Sequence, residues 1–326
     1  MARTYLVTGG SGFIGSALVR RLVARGDRVR VLDDFSRGKH ARLAGIEQQL
    51  DIVQGDIRDP QAVSRAVAGV DGVCHAAFVN GTRFFYERPE LVLDVGVRGM
   101  LNVLDACIEH RVRELFVASS SEVYQTPPRV PTDETAPMLI PDPLNPRYSY
   151  AAGKIISEIL SINYARKHFD RMVIFRPHNV FGPDMGWEHV LPQFIVRMQR
   201  LVSSQPSGRL KFTIQGSGRE TRAFVYVDDF TDGLLRVMDH GKHMQIYNIG
   251  TEEELSIAEV AERTARYFGR EVEIVPGALA VGGTARRCPD LTKLRGLGYA
   301  PRWSFDDAVG RTVDWYVAHV NEAPKE

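Results

Sequence analysis

"VTGGSGFIG", residues 7–15, is the stretch on which the fold turns. It closes an apolar run, "TYLVTG" (4–9), and opens a helical pattern that continues to residue 25. Gly9, Gly12 and Gly15 in such a strand-to-helix turn let the chain reverse tightly and leave the backbone open to a pyrophosphate. The helix beginning near Phe13 and Ile14 offers free N–H groups and the positive end of its dipole to the same phosphates. Glycines in a turn also serve packing, so the assignment rests on the residues downstream of the turn. The second apolar run, "RVRVLD" (28–33), ends in Asp33, 18 residues after Gly15. A carboxylate there binds both hydroxyls of an adenosine ribose and repels a 2′-phosphate, which favours NAD over NADP. Its neighbour Asp34 reads as a loop residue. In "GDIRD" (55–59), Asp56 and Ile57 are placed to flank an adenine, whereas Asp59-Pro60 reads as a helix start.

Beyond this turn the chain alternates. "LDIVQGD" (50–56), "GVCHAA" (72–77), "ELFVASS" (114–120) and "MVIFRP" (172–177) are further short apolar runs, separated by helical patterns at 60–68, 89–110 and 149–168. Apolar strands bounded by Gly and Asp and alternating with amphipathic helices predict a parallel sheet covered on both faces. The predicted class is α/β, a Rossmann-type doubly wound parallel sheet with a smaller C-terminal α/β substrate-binding lobe. Residues 1–178, with return segments around 223–250, make up the first unit. Residues 179–222 and 251–326, rich in Gly and Pro loops, make up the lobe. Ligands of such sheets bind beyond the carboxyl ends of the strands.

Composition narrows the partners. The 326 residues are 44% hydrophobic and 25% charged, and 41 basic residues nearly cancel 40 acidic ones. A net charge of +1 gives no electrostatic case for nucleic acid or an anionic membrane. Cys74, Cys107 and Cys288 are far apart and lack metal-ligand spacing, so no metal is expected and the thiols read as reduced core residues. The first residues carry no long apolar core of a signal peptide, and no apolar stretch reaches membrane-spanning length. The expectation is a cytoplasmic protein.

The second chemical signal is "YSYAAGK" (148–154). Tyr150 and Lys154 lie four apart, on one face of a helix. An ammonium near a phenol favours the phenolate and lowers the tyrosine pKa toward the range of a general base. Tyr148 has no lysine at that spacing and is not the base.

With the glycine turn, Asp33, the serine run "SSSEVYQ" (119–125) and the Tyr/Lys pair together, the sequence resembles the extended short-chain dehydrogenase/reductase family, in particular its nucleotide-sugar epimerases and dehydratases. The resemblance extends through "HAA" (75–77), "RPHNVFGP" (176–183), "GSGRETRAFVYVDD" (216–229) and "RRCPD" (286–290). It implies tightly bound NAD, held in part by Ala76 and Ala77, with Tyr150 accepting the proton of a sugar hydroxyl and Lys154 beside it. Ser120 or Ser121 holds that oxygen. Asn179, Arg222 and Arg287 are implied as contacts of a nucleotide sugar, the arginines being suited to a diphosphate. A homodimer through the helices around 90–110 and 150–168 is implied as well. On the second of these, Ile155, Ile159 and Ile162 form one stripe and Ile156, Leu160 and Tyr164 another, so one stripe covers the sheet and the other needs a partner.

The chain departs from the family at three places. Gly96 stands where an Asn is usual, Gln125 where Gly usually follows the tyrosine, and His178 in "RPHN" is uncommon; neither His178 nor His189 is expected to do chemistry. Glu122 divides the possible reactions. The family's epimerases usually carry an apolar or small residue there, its dTDP-glucose dehydratases carry Asp-Glu, and its GDP-mannose dehydratases and UDP-glucuronate decarboxylases carry Ser/Thr-Ser-Glu with a catalytic Glu. The sequence reading favours a 4-epimerase working through a transient 4-keto sugar. A 4,6-dehydratase or a decarboxylase using Glu122 is the alternative. A 4-keto-sugar reductase and a non-catalytic NAD-binding regulator stand behind them.

Overall fold

A computed structural model describes residues 2–278 and 282–324. β1 (Thr4–Thr8) leads through the glycine turn into α1 (Phe13–Arg25), whose chain ends in Gly26 in the left-handed conformation. β2 (Arg28–Asp33), β3 (Leu50–Gln54), α2 (Pro60–Val67) and β4 (Gly72–His75) come next. Asp59 caps α2 by accepting from Gln61 N, with Pro60 in the first turn, as its sequence predicts. β5 (Glu114–Ala118) and β6 (Arg171–Pro177) flank the long helix Ser149–His168. A seventh strand, Gln245–Ile249, joins after the helix Val227–His240.

All seven strands are parallel, in the order Gln245–Ile249, β6, β5, β4, β1, β2, β3. The chain builds outward from β1 to β3 and then resumes on the other side at β4. A crevice therefore opens at the carboxyl ends of β1 and β4, where the strand order reverses. Side chains of successive residues bury on opposite faces: Tyr5 and Val7 pack on one side of β1, Leu6 on the other. One face is covered by α1 and Val227–His240, through Leu18, Leu22, Phe230 and Leu234. The other is covered by α2 and the helix Gly99–Glu109, through Val63, Val67, Val103 and Leu104.

A third apolar cluster belongs to the C-terminal part. There Leu210–Ile214 pairs with Val272–Pro276, and Thr221–Ala223 lies between Glu254–Ser256 and Arg286–Arg287. The helices Val190–Ser204, Ile257–Tyr267 and Phe305–Ala318 enclose this core. Leu291, Leu294 and Tyr299, late in the chain, pack against the large sheet.

The helix Ser149–His168 differs from the stripe reading. Its buried face is small and polar, with Gly153, Ser157, Ser161 and Ala165. Ser157 and Ser161 satisfy their hydroxyls on carbonyls one turn back, which lets this face approach its neighbours closely. Leu160, Ile162 and Tyr164 are partly buried against the sheet core, while Ile156 and Ile159 remain exposed. The helical pattern at 89–110 is also interrupted: Asp94–Arg98 forms a π-helical turn between Pro89–Leu93 and Gly99–Glu109.

Candidate functional site

One cavity of about 1150 Å³ lies over the carboxyl ends of the strands and reaches into the C-terminal lobe. Gly9, Gly12, Phe13, Ile14, Gly15, Asp33, Asp56, Ile57, Ala76 and Ala77 line it along the sheet. Ser120, Ser121, Glu122, Tyr150 and Lys154 line its centre, and Asn179, Arg222 and Arg287 the lobe side. Backbone folding explains the first group. Gly9 has φ +68°, and a Cβ on Gly15 would fall 2.0 Å from the Gly9 carbonyl oxygen, so a side chain at either glycine would break the turn. Gly12 N donates to Gly9 O and the helix follows at Phe13, leaving the turn open toward the cavity. Thr8 fixes the opposite wall. Its hydroxyl bonds His75 Nδ1 at 2.8 Å and accepts from Ala76 N and Ala77 N.

Asp33 is buried at the end of β2. It accepts from Ser11 N at 2.8 Å and Phe35 N at 2.9 Å, so it closes the glycine turn onto the loop that follows β2. Burial pushes its carboxyl up, against those two N–H donors. Asp34 accepts from Ser36 N within the same loop, the plain role its sequence suggests. Asp56 pairs with Arg58, which also reaches Asp94. Glycines a Cβ would disrupt, a helix start facing the crevice, and a carboxylate at the second strand's end form a cradle that fits NAD.

At the centre, the sharp turn Ser121–Tyr124 follows β5. Ser120 caps it by accepting from Glu122 N, and a hydrogen bond from its hydroxyl eases ionisation of Tyr150. Lys154 donates to the Ala118 carbonyl at 2.6 Å, and its ammonium lies 5.9 Å from the Tyr150 ring centroid. The expected lowering of the tyrosine is not what the geometry gives. Burial pushes Tyr150 up to about 12 and brings Lys154 down to about 7. Helical spacing puts the two on one face, but the lysine's hydrogen bond goes to the backbone of β5 rather than to the phenol.

Glu122 faces a cluster of cations. Arg287 Nη1 donates to its Oε1 at 2.7 Å, and Arg147 and Arg222 add their charge. Burial would raise this carboxyl, but Arg287, then Arg147 and Arg222, outweigh it and hold it down to about 2. Arg222 in turn is lowered to about 10, by burial and then by repulsion from Arg287. Its guanidinium is held by the carbonyls of Thr221 and Thr284. Asn179 also lines the cavity, though with φ +40° and its amide donating to Ala223 O it acts as the turn residue it resembles.

Arg147, Phe85 and Phe78 escape a sequence reading. Arg147 lies three residues before Tyr150, a spacing that brings both to the same side of a helix start, and this was the available signal. Phe85 stacks on Tyr150 at 5.1 Å between ring centroids, and Phe78 meets it edge-on at 5.2 Å. Gln125, with φ +48°, donates its amide to Glu122 O at 2.7 Å and reaches Oε2 at 3.3 Å. His178 is buried, lowered to about 3 by that burial, and its Nε2 lies 3.1 Å from Asn248 Oδ1. His189 is likewise pushed down, to about 4. The three cysteines are buried free thiols. Among the described residues no metal-binding group of His, Cys, Asp and Glu occurs, and no helix is long and apolar enough to cross a membrane.

Residues 5–250 match the model of the NAD dependent epimerase/dehydratase family. A UDP-N-acetyl-alpha-D-glucosaminuronate decarboxylase of Bacillus cytotoxicus is 31% identical, over 97% of this chain and 98% of its own. The structure of a dTDP-glucose 4,6-dehydratase from Streptomyces venezuelae, with NAD bound, superposes with a TM-score of 0.86 at 30% identity over 98% of each chain. A UDP-glucose 4-epimerase from Thermus thermophilus, in complex with NAD, gives 0.83 at 29% identity over 96% of this chain and 99% of its own.

Proposed function

The chain belongs to the NAD-dependent epimerase/dehydratase family, and on that premise we propose that it decarboxylates a nucleoside-diphosphate uronic acid. NAD, which Gly9, Gly12, Gly15 and Asp33 would hold, would supply a reversible hydride acceptor for C4 of the sugar. Tyr150 takes the proton of the C4 hydroxyl, Ser120 holds that oxygen, and the Lys154 cation supports the phenolate. The C4 ketone is β to the C6 carboxylate. The C5–C6 bond then breaks, its electron pair moves into the enolate at C4, and carbon dioxide leaves. C5 takes up a proton, and the C4 carbonyl receives hydride and the proton held by Tyr150. No net oxidant is consumed.

The observation that carries this reading is Glu122 among Arg147, Arg222 and Arg287. With its carboxyl held down to about 2 by Arg287, Glu122 stays ionised at neutral pH and carries no proton for a departing C6 hydroxyl. Ser121, beside it, supplies no acid either, which disfavours 4,6-dehydration. Decarboxylation needs no leaving-group acid, and three guanidiniums against one carboxylate leave positive charge for an anionic substrate and for the enolate. The 4-epimerase that the sequence favours keeps one specific support: Glu122 is held by both Arg287 and Gln125, as a purely structural carboxylate would be.

The test is incubation with UDP-glucuronic acid, UDP-glucose and dTDP-glucose in deuterium oxide, followed by NMR and carbon dioxide release. Carbon dioxide with deuterium at C5 is the expected result. Unlabelled UDP-galactose from UDP-glucose, with Glu122→Gln within about tenfold, would replace this reading by the epimerase. A 4-keto-6-deoxy sugar from dTDP-glucose would replace it by the dehydratase.

Assembly as a homodimer through the helix Ser149–His168 is supported by the exposure of Ile156 and Ile159, at 38% and 49%. Light scattering should give a dimer for the native chain and a monomer for Ile159→Glu; a native monomer at micromolar concentration overturns the dimer.

A further inference from the structure

We propose that Phe78 is a positioning residue for the catalytic pair, its ring face holding the Lys154 ammonium in the charged form. The inference goes beyond the choice among decarboxylase, dehydratase and epimerase, and rests only on Lys154 serving as the cation beside Tyr150.

Phe78 follows the Ala76-Ala77 wall at the end of β4 and lines the cavity. The Lys154 ammonium lies 4.0 Å from its ring centroid. That is well inside the range in which a ring quadrupole attracts a cation, and the attraction grows where water is excluded. The same ring meets Tyr150 edge-on, at 83° between planes, and Phe85 stacks on the phenol as well. Phe78 therefore touches both members of the pair.

Two glycines make room for it. A Cβ on Gly96 would fall 2.3 Å from Phe78 Cζ and 2.5 Å from Cε2, and one on Gly153 would fall 3.0 Å from Cζ. Neither glycine has a left-handed φ, so the backbone does not demand glycine at either place. Both sit in helical segments, Gly96 in the π-helical turn and Gly153 one residue before Lys154, where alanine would favour the helix more. Their absent side chains are explained by the ring. Gly96 is also where the family usually has Asn, and the space beside it is filled here by the Phe78 ring.

The charge around Lys154 shows what the ring opposes. Burial disfavours the ammonium, and Glu158, one turn along the same helix, is the carboxylate that favours it. Glu158 is itself engaged by Arg176 at 2.7 Å and by Ser119. His75, at the end of β4, is buried and neutral, held down by burial and then by the lysine. Tyr150 is the remaining titratable neighbour on the same helix. Asp94, on the packed π-helical turn, is occupied with Arg58 and Arg98. The ring thus adds attraction for the cation at a position where its hydrogen bond among the described residues goes to the Ala118 carbonyl.

The test measures the titration of Lys154 directly, by NMR of protein carrying 13Cε-lysine and saturated with NAD. Phe78→Leu keeps an apolar side chain but removes the ring face, and should lower the Lys154 midpoint by about one pH unit. Gly96→Ala, which pushes the ring aside, should lower it too, yet have little further effect in the Phe78→Leu background. A ring-fluorinated phenylalanine at 78 preserves shape while weakening the face, and should give a smaller shift in the same direction. An unchanged or raised midpoint in the folded Phe78→Leu or fluorinated protein overturns the proposal, as does an equal effect of Gly96→Ala in both backgrounds. Lys154→Met separates the premise from the inference. If that variant turns over whichever of UDP-glucuronic acid, UDP-glucose and dTDP-glucose the native protein uses at the native rate, the catalytic premise fails, whatever the NMR midpoint shows.

Discussion

The Glu122–Arg287 pair should make stability depend on pH in a way that Glu122→Gln removes. The folded carboxyl titrates at about 2, below its ordinary 4.5, because Arg287 outweighs burial. A depressed folded value means that the unfolded chain takes up the proton first. The pair's contribution is therefore fully present above about pH 4.5 and is lost as pH falls toward 2. The full amount is the difference between 4.5 and about 2 times ~1.36 kcal/mol, or about 3 kcal/mol. It is a ceiling, since the Glu122 side chain is 25% exposed and water screens part of it. Complete loss lies at acidities where other carboxylates also titrate. Between about pH 5 and about pH 3.5, however, the unfolded glutamate gains most of a proton and the folded one almost none, worth about 1 kcal/mol. Urea titrations of the native protein and Glu122→Gln at both pH values read this as a change in their difference. The native chain should lose about 1 kcal/mol more than the variant over that interval. Arg287→Met should shrink that difference, because burial, which raises a carboxyl, is then opposed only by Arg147 and Arg222. Parallel curves for native and Glu122→Gln would refute the charged, arginine-held carboxylate, and with it the argument against an acid at C6.

Three other outcomes are expected at the site. Asp33→Ala should reduce the preference for NAD over NADP by about tenfold, or about 1.4 kcal/mol by calorimetry, and tighter NADP than NAD binding by the native protein would contradict the ribose assignment. Tyr150→Phe should lose most turnover and retain NAD binding, since it removes the proton acceptor but leaves the packing of Phe78 and Phe85; near-native rates would mean that another group is the base. Gln125→Gly should stay within about 1 kcal/mol of native stability, the relief of a positive φ offsetting the lost hydrogen bond, while turnover falls several-fold as Glu122 loses its amide support. Undiminished turnover in Gln125→Gly would show that the strained glutamine does not orient the carboxylate.

What the sequence determined by itself is what the chain encodes over short range. A glycine turn between a strand and a helix, an acid at the end of the next strand, and a Tyr and Lys one helical turn apart are all local. Their geometry is set by backbone sterics and helical pitch, so residues 4–33 and 148–154 are legible in isolation. Alternation of apolar strands and amphipathic helices likewise specifies a covered parallel sheet. The tertiary structure alone decided which distant groups meet. Arg287 reaches Glu122 across 165 positions, and that contact holds the carboxyl in its charged form. The lysine that helical spacing aims at the phenol is drawn instead to the Ala118 carbonyl and the Phe78 ring. Gly96 has no explanation in the sequence, and the Phe78 ring, which also lies against Gly153, supplies it. The stripes on Ser149–His168 mislead for the same reason: periodicity marks apolar faces, but the closest packing here uses Gly, Ser and Ala. Electrostatics and close packing act through space at a few ångströms, between residues that the order of the chain holds far apart.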